Sequence, residues 1–452
     1  MIENKKINKI IDELIDQYAF ADSSERPWII GFSGGKDSTV LLTLVWRALL
    51  KVREEMPFPF QLRRPVYVVC NDTMVENPII TEYVEEVLVQ IEKEARNQDL
   101  PIFVKKTIPK IESTFWVNIL GKGYPVPNNS FRWCTDKLKI RPTSSFIEEQ
   151  INVNGEAIIL IGTRNSESST RARSIKKHEI KGKRLTKHPN QYNTLVYSPI
   201  KDLLLEEVWY IINAFPSPWK YDNSKLFKIY ANASADDYEC PTVVTDKNHK
   251  SCGQSRFGCW TCTVIKEDKS MSALIRNGEH WMNPLLEFRN TLEKERNTSE
   301  FRMVTRRNGQ AAITEDGHNQ GNYTPAYRAK KLRELLELQK EIQKERPLTE
   351  LITNQELIAI QVYWYRDGIF DYRVGDIFAK IYGRELEIEN ANFDNSIEKK
   401  LLKTVCASNE KDYELINNLL TLQHSKTLLL TNYGLQNDLE KRIEQFVINE
   451  NE

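Results

Sequence analysis

The chain has 452 residues, 40% of them hydrophobic and 28% charged, the composition of a globular protein of two or three domains. Lys+Arg and Asp+Glu both number 63, so no global field draws in nucleic acid, and a polyanion must be held by local patches. No run approaches the ~20 apolar residues of a membrane span, and the start, Met1 to Lys6, lacks the apolar core of a signal peptide; a cytoplasmic protein without membrane contact is expected.

Ile7, Ile10, Ile11, Leu14, Ile15 and Tyr18 share one helical stripe, which predicts an amphipathic helix over Ile7 to Phe20. Trp28 to Phe32 then reads as a short buried strand. From Val40 to Leu49 apolar residues recur at helical spacing, so Ser33-Gly34-Gly35-Lys36-Asp37-Ser38 must be the turn between them. Glycines that let the backbone approach a ligand, followed by a helix start, make an anion site. The spacing is not that of a Walker loop: Gly31 is one residue too close to Gly35, and Asp37 stands where a hydroxyl belongs.

Further strands are expected at Pro65 to Asp72, Ile102 to Thr107 and Ala157 to Gly162, with a helix from Ile80 to Ala95. Strands alternating with helices predict a doubly wound parallel sheet, whose ligands bind beyond the carboxyl ends of its strands. Asp72, at one such end, is either a site carboxylate or a plain turn cap. Arg132, Lys137 and Lys139 surround Cys134 and favour its thiolate; a buried structural cysteine is the other reading. From Arg171 to His188, Arg171, Arg173, Lys176, Lys177, Lys181, Lys183, Arg184 and Lys187 face one acid, Glu179. That run is a solvated face, or a loop laid along a polyanion; neutralising ~5 phosphates would give log K against log salt a slope of roughly −4.5.

Cys240, Cys252, Cys259 and Cys262 follow the spacing Cys-x11-Cys-x6-Cys-x2-Cys, which suits a [4Fe–4S] cluster or, as the alternative, Zn²⁺. His249 is a weaker ligand candidate. Arg302 to Arg307 forms a second basic patch, and helices are expected at Ala326 to Arg346 and Leu357 to Tyr365. Three parts are expected: a nucleotide domain over 1–220, a cysteine-rich segment over 221–325 and a helical extension over 326–452.

Ser33 to Ser38 resembles the pyrophosphate loop of the ATP pyrophosphatases, which cleave ATP between its α and β phosphates. Cys134 to Pro142 is similar to the Cys-x-x-x-x-Lys-x-x-Pro stretch of the phosphoadenylylsulfate reductases, and Gly162 to Arg171 to their Gly-x-Arg-x-x-Glu-Ser-x-x-Arg motif. Tyr197 to Asp202 and Glu206 to Ile211 are similar to later stretches of the same reductases. The resemblance implies an α/β fold of the adenine-nucleotide α-hydrolase type. It places ATP on Ser33, Gly34, Gly35, Lys36, Asp37, Ser38, Asp72, Gly162 and Arg164, with Mg²⁺ held by Asp37 directly or through water. The whole combination resembles the DndC family, sulfur-modification proteins of bacterial DNA phosphorothioation. That implies a sulfurtransferase acting on DNA through Lys36, Asp37 and Cys134, with Cys134 or the cluster passing on the sulfur and DNA on Arg171, Arg173, Lys181, Lys183 and Arg184. The implied partners are a cysteine desulfurase and other proteins of the system. Alternatives are a phosphoadenylylsulfate reductase, a tRNA thiolation enzyme, or a nucleotide-gated DNA-binding subunit without chemistry.

Overall fold

The computed structural model describes residues 2–20, 25–55, 62–179, 182–233 and 258–386, with 402–406, 411–413, 415–416 and 419 beyond them. Two compact units emerge: Met1–Pro109 with Val126–Lys294, and Lys110–Pro125 with Glu295–Glu452. Their boundaries do not coincide with the expected ones at 220 and 325.

The first unit begins with α1 (Ile2–Ala19), β1 (Trp28–Gly31), α2 (Lys36–Glu55), β2 (Val66–Asn71), α3 (Pro78–Asn97) and β3 (Ile102–Thr107). A π-helical turn, Thr135–Ile140, leads into α4 (Arg141–Asn154), then β4 (Ala157–Leu160), α5 (Ser169–His178), β5 (Leu185–Lys187) and β6 (Thr194–Tyr197). After them come α6 (Leu205–Ala214), α7 (Asn223–Ala233), α8 (Lys269–Arg276) and α9 (Asn283–Glu295).

The six strands order as β3-β2-β1-β4-β6-β5, all parallel except β5 against β6. The central strands β1 and β4 are buried at every position, as a parallel strand covered on both faces must be. On one face Ile29, Val69, Ile159 and Val196 pack with Phe146 and Ile147 of α4. Ile7, Ile10, Ile11, Leu14 and Tyr18 of the α1 stripe are buried, and Tyr18 meets Trp28 edge-on with ring centroids 5.2 Å apart. Asn77 caps α3 by accepting the Ile79 amide at 3.1 Å, and Pro78 occupies the first turn, where its missing N–H costs nothing. This doubly wound sheet is the architecture the strand–helix alternation predicts.

In the second unit, α10 (Pro325–Ile342), α11 (Asn354–Arg366) and α12 (Val374–Tyr382) take in the early segment Lys110–Pro125. The Trp116 indole donates to Leu351 O at 2.7 Å, the Trp364 indole to Leu120 O at 2.7 Å, and Arg328 Nη1 to Gly121 O at 2.9 Å. Trp116 and Trp364 are both fully buried, so the segment is part of that unit's core.

Candidate active site

The turn Ser33 to Ser38 joins β1 to α2 at the carboxyl edge of the sheet. Gly34 has φ +73°, and a Cβ there would lie 2.5 Å from Val84 Cγ2 and 3.3 Å from Tyr83 Cε1 of α3. Glycine is required twice over, by backbone and by space. Gly162, just after β4, closes the other side: its Cβ would sit 3.0 Å from Asp37 O and 3.2 Å from Ser38 N. Within the turn the Ser33 amide donates to Ser38 Oγ (3.3 Å), and Ser38 Oγ donates to Gly35 O (3.0 Å).

The centre of the site is ionic. Lys36, Asp37 and Arg164 are 1%, 5% and 2% exposed. Arg164 Nε donates to Asp37 Oδ1 at 2.6 Å, Lys36 Nζ lies 3.2 Å from Asp37 Oδ2, and Arg164 Nη1 donates to Ser166 Oγ at 2.9 Å. Buried charges need partners, and these three side chains share one carboxylate between two cations. The residual positive charge at a helix start suits an anion. Both Asp37 oxygens face cations, Oδ1 through the Arg164 hydrogen bond and Oδ2 across 3.2 Å from Lys36 Nζ.

The structure adds Tyr230, which helical periodicity alone does not mark as a site residue. The Lys36 amide donates to its hydroxyl at 3.3 Å, and Lys36 Nζ lies 5.4 Å from its ring centroid.

At the end of β2, Asp72 acts as a turn cap: Oδ1 accepts the Met74 amide at 2.7 Å, stabilising Met74 at φ +64°, and Oδ2 lies 3.4 Å from Lys106 Nζ. Cys134, half-buried, is the cap residue of the π-helical turn. That turn is tied to the β2 end through Asn71 Nδ2, which donates to Leu138 O (3.1 Å), and through Lys139, 3.4 Å from Glu76.

The Cys259-x-x-Cys262 turn docks on the same segment. Cys262 N donates to Cys259 O (3.0 Å), Trp260 N donates to Val75 O (3.0 Å), and Cys259 Sγ lies 3.3 Å from Thr73 Oγ1. Burial pushes the Cys259 thiol well up, with the Glu76 charge adding to it, and burial also raises Cys262. Two half-buried soft thiols three residues apart fit half of a four-thiolate iron or zinc set. Cys240, Cys252 and His249 lie outside the described residues, and among the described ones no three His, Cys, Asp or Glu side chains converge on a metal position.

The basic run divides. Arg173 on α5 and Lys183 are exposed, whereas Lys181 and the Arg171 side chain lie outside the described residues. Arg184 bonds to Asp16 of α1, whose carboxylate holds the guanidinium charged. It therefore ties the β5 hairpin to α1. The second basic patch is also structural: the Arg302 guanidinium, 6% exposed, donates to Gly321 O at 2.6 Å and Arg296 O at 2.9 Å, and Arg307 Nη2 meets Asp367 Oδ1 at 2.9 Å.

These features define a nucleotide-type α/β domain whose phosphate turn and cysteine turn share one sheet edge. The family model described as phosphoadenosine phosphosulfate reductase domain matches residues 27–265, more than half of the chain, and the protein belongs to that family. An uncharacterized protein of Methanocaldococcus jannaschii is 27% identical over 268 residues, 58% of this chain and 42% of that protein. The chain thus spans about two fifths of that curated relative. Solved structures with fold similarity include the phosphoadenylyl-sulfate reductase of Candida auris (14% identical, 47% of this chain and 87% of that one, TM-score 0.29). Another is the U34-tRNA thiolase of Methanococcus maripaludis with its [4Fe-4S] cluster (12% identical, 64% and 79%, TM-score 0.29). The FMN adenylyltransferase of Candida glabrata is similar over 46% of this chain and 58% of that one (16% identical, TM-score 0.29). No helix among the described residues is long and apolar enough to cross a membrane.

Proposed function

We propose that the chain is an ATP pyrophosphatase that activates a backbone phosphate oxygen of DNA for replacement by sulfur. The observation that carries the reading is the buried Lys36–Asp37–Arg164 centre at the glycine turn, on the sheet edge where the Cys259–Cys262 turn docks. In this reading the turn amides and Lys36 take the β and γ phosphates of ATP, and Arg164 with Asp37 fixes the ammonium's position. A DNA phosphate oxygen attacks the α-phosphorus, the bond to the β-phosphate oxygen breaks, and pyrophosphate leaves. The barrier falls through positioning and charge neutralisation, since the leaving group is already anionic. Sulfur from a cysteine desulfurase then arrives as the outer sulfur of a Cys134 persulfide; it attacks the DNA phosphorus and AMP leaves, and a second thiol cleaves the resulting S–S bond, releasing the phosphorothioate and ending as a disulfide with Cys134.

Cys259 and Cys262, with Cys240 and Cys252, would hold a [4Fe–4S] cluster. Such a cluster supplies electron transfer or a soft site for sulfide. Exposed Arg173 and Lys183 support a polyanion beside the nucleotide domain.

The test is mass spectrometry of nuclease-digested DNA from cells carrying the complete modification system, with and without Lys36→Ala. Phosphorothioate dinucleotides should disappear in the variant. Their persistence refutes the function. Loss of ATP–pyrophosphate exchange in the variant with no phosphorothioate in either strain keeps the pyrophosphatase and moves the substrate to tRNA.

A further inference from the structure

Tyr230 lies 194 residues downstream of the phosphate turn, yet its hydroxyl accepts the first amide of α2, that of Lys36, at 3.3 Å. The first bond internal to this end of the helix is Thr39 N to Gly35 O at 2.9 Å, so Lys36 N is one of the amides that an anion at a helix start uses. The same ring lies 5.4 Å from Lys36 Nζ, and the ammonium is drawn toward Asp37 at 3.2 Å. One tyrosine thus engages both the amide and the ammonium of the lysine that a polyphosphate would need.

Its own placement is built. Tyr230 is 7% exposed, and Trp209 of α6 meets its ring edge-on with centroids 5.3 Å apart. The helix that carries it, α7, is joined to the stretch after α8 by Asn277 Nδ2, which donates to Asn232 O at 2.5 Å. A phenol oxygen is a neutral acceptor; a phosphate oxygen is anionic and forms the stronger bond to the same amide.

We infer that Tyr230 is a positioning residue that stands in for a phosphate oxygen at the Lys36 amide and is displaced when the polyphosphate of a nucleoside triphosphate binds. The inference rests on the reading of this turn as an ATP site. Displacement frees α7 from the turn while its packing on α6 and its tie to the α8 end persist, so nucleotide occupancy is reported to the helices that follow the turn in space.

The experiment measures inorganic pyrophosphate and ATP binding to the full chain by calorimetry, with Lys36→Ala as the control that abolishes binding. Tyr230→Phe keeps the ring against Trp209 and removes only the hydroxyl. It should bind pyrophosphate about fivefold tighter, because one neutral hydrogen bond no longer has to be broken. Hydrogen exchange of the wild-type protein gives the readout that a purely structural tyrosine would not move. Pyrophosphate should speed exchange of the α7 amides and slow that at the start of α2. Unchanged or weaker binding in Tyr230→Phe, or α7 amides that become more protected, overturns the inference and leaves the ATP site standing. Wild-type protein that binds neither pyrophosphate nor ATP overturns the site reading and this inference together.

Discussion

Replacing Gly34 by alanine tests whether the phosphate turn needs the shape it has. An L residue at φ +73° costs roughly 1–2 kcal/mol. The new Cβ would lie 2.5 Å from Val84 Cγ2, and Val84 is only 8% exposed and has little room to retreat, which adds the roughly 1–3 kcal/mol of an overpacked core. Gly34→Ala should therefore lose about 2–5 kcal/mol in urea denaturation and bind ATP at least tenfold more weakly, since the turn amides move with the backbone. Val84→Ala alone removes two buried methyl groups, at about 1.6 kcal/mol by burial. Combined, the two changes should cost less than their sum by about 1–3 kcal/mol, the clash having vanished while the backbone penalty stays. ATP binding should return only in part. Strict additivity, or a Gly34→Ala protein as stable and as tight-binding as wild type, would refute the reasoning.

Glu356, 1% exposed at the start of α11, has its carboxyl pushed up to about 7 by burial, while Oε2 accepts the Thr353 amide at 3.0 Å. A carboxyl that keeps its proton longer in the fold contributes stability that is present below its unfolded value near 4.5 and lost as pH rises through about 7. Glu356→Gln should thus gain up to about 3 kcal/mol on wild type between pH 5 and 8, and parallel denaturation profiles across that range would sink the assignment. For DNA binding, Arg173→Glu and Lys183→Glu should each flatten the salt slope by about 0.9 for every phosphate no longer neutralised, measured by fluorescence anisotropy against salt. Arg184→Glu should leave the slope alone and cost under about 1 kcal/mol through its pair with Asp16; a slope change as large as that of Lys183→Glu contradicts this division.

The first unit was legible because its signals are local. Apolar runs such as Trp28 to Phe32 and Ala157 to Gly162 are long enough to read as buried strands, and the structure places β1 and β4 there, side by side. The glycine turn was legible from its residue types. What was not legible is partnership at long range. Arg164 reads as a ligand arginine in its motif, but its nearest acceptor is Asp37, 127 residues earlier. Arg184 and Arg302 look like solvated or DNA-facing charges in a basic run, and only the fold supplies the Asp16 carboxylate and the carbonyls that hold them. Tyr230 lies in a helix with ordinary spacing, where a core tyrosine and a site tyrosine look alike. Trp116 finds its acceptor, Leu351 O, 235 residues later, a pairing that no local pattern signals.

That last distance has a consequence for synthesis. Trp116 leaves the ribosome 235 residues ahead of Leu351, its hydrogen-bond partner. At ~5–20 residues per second the two are separated by roughly 12 to 47 seconds. During that interval the sheet strands on either side of Lys110–Pro125 can already associate, while the buried aromatics of that segment have nothing to cover them. The nascent chain must carry an apolar strap, rooted in a finished neighbour, until its helices arrive. Chaperone occupancy on stalled nascent chains should peak over this strap and fall once the codons for α11 have been read.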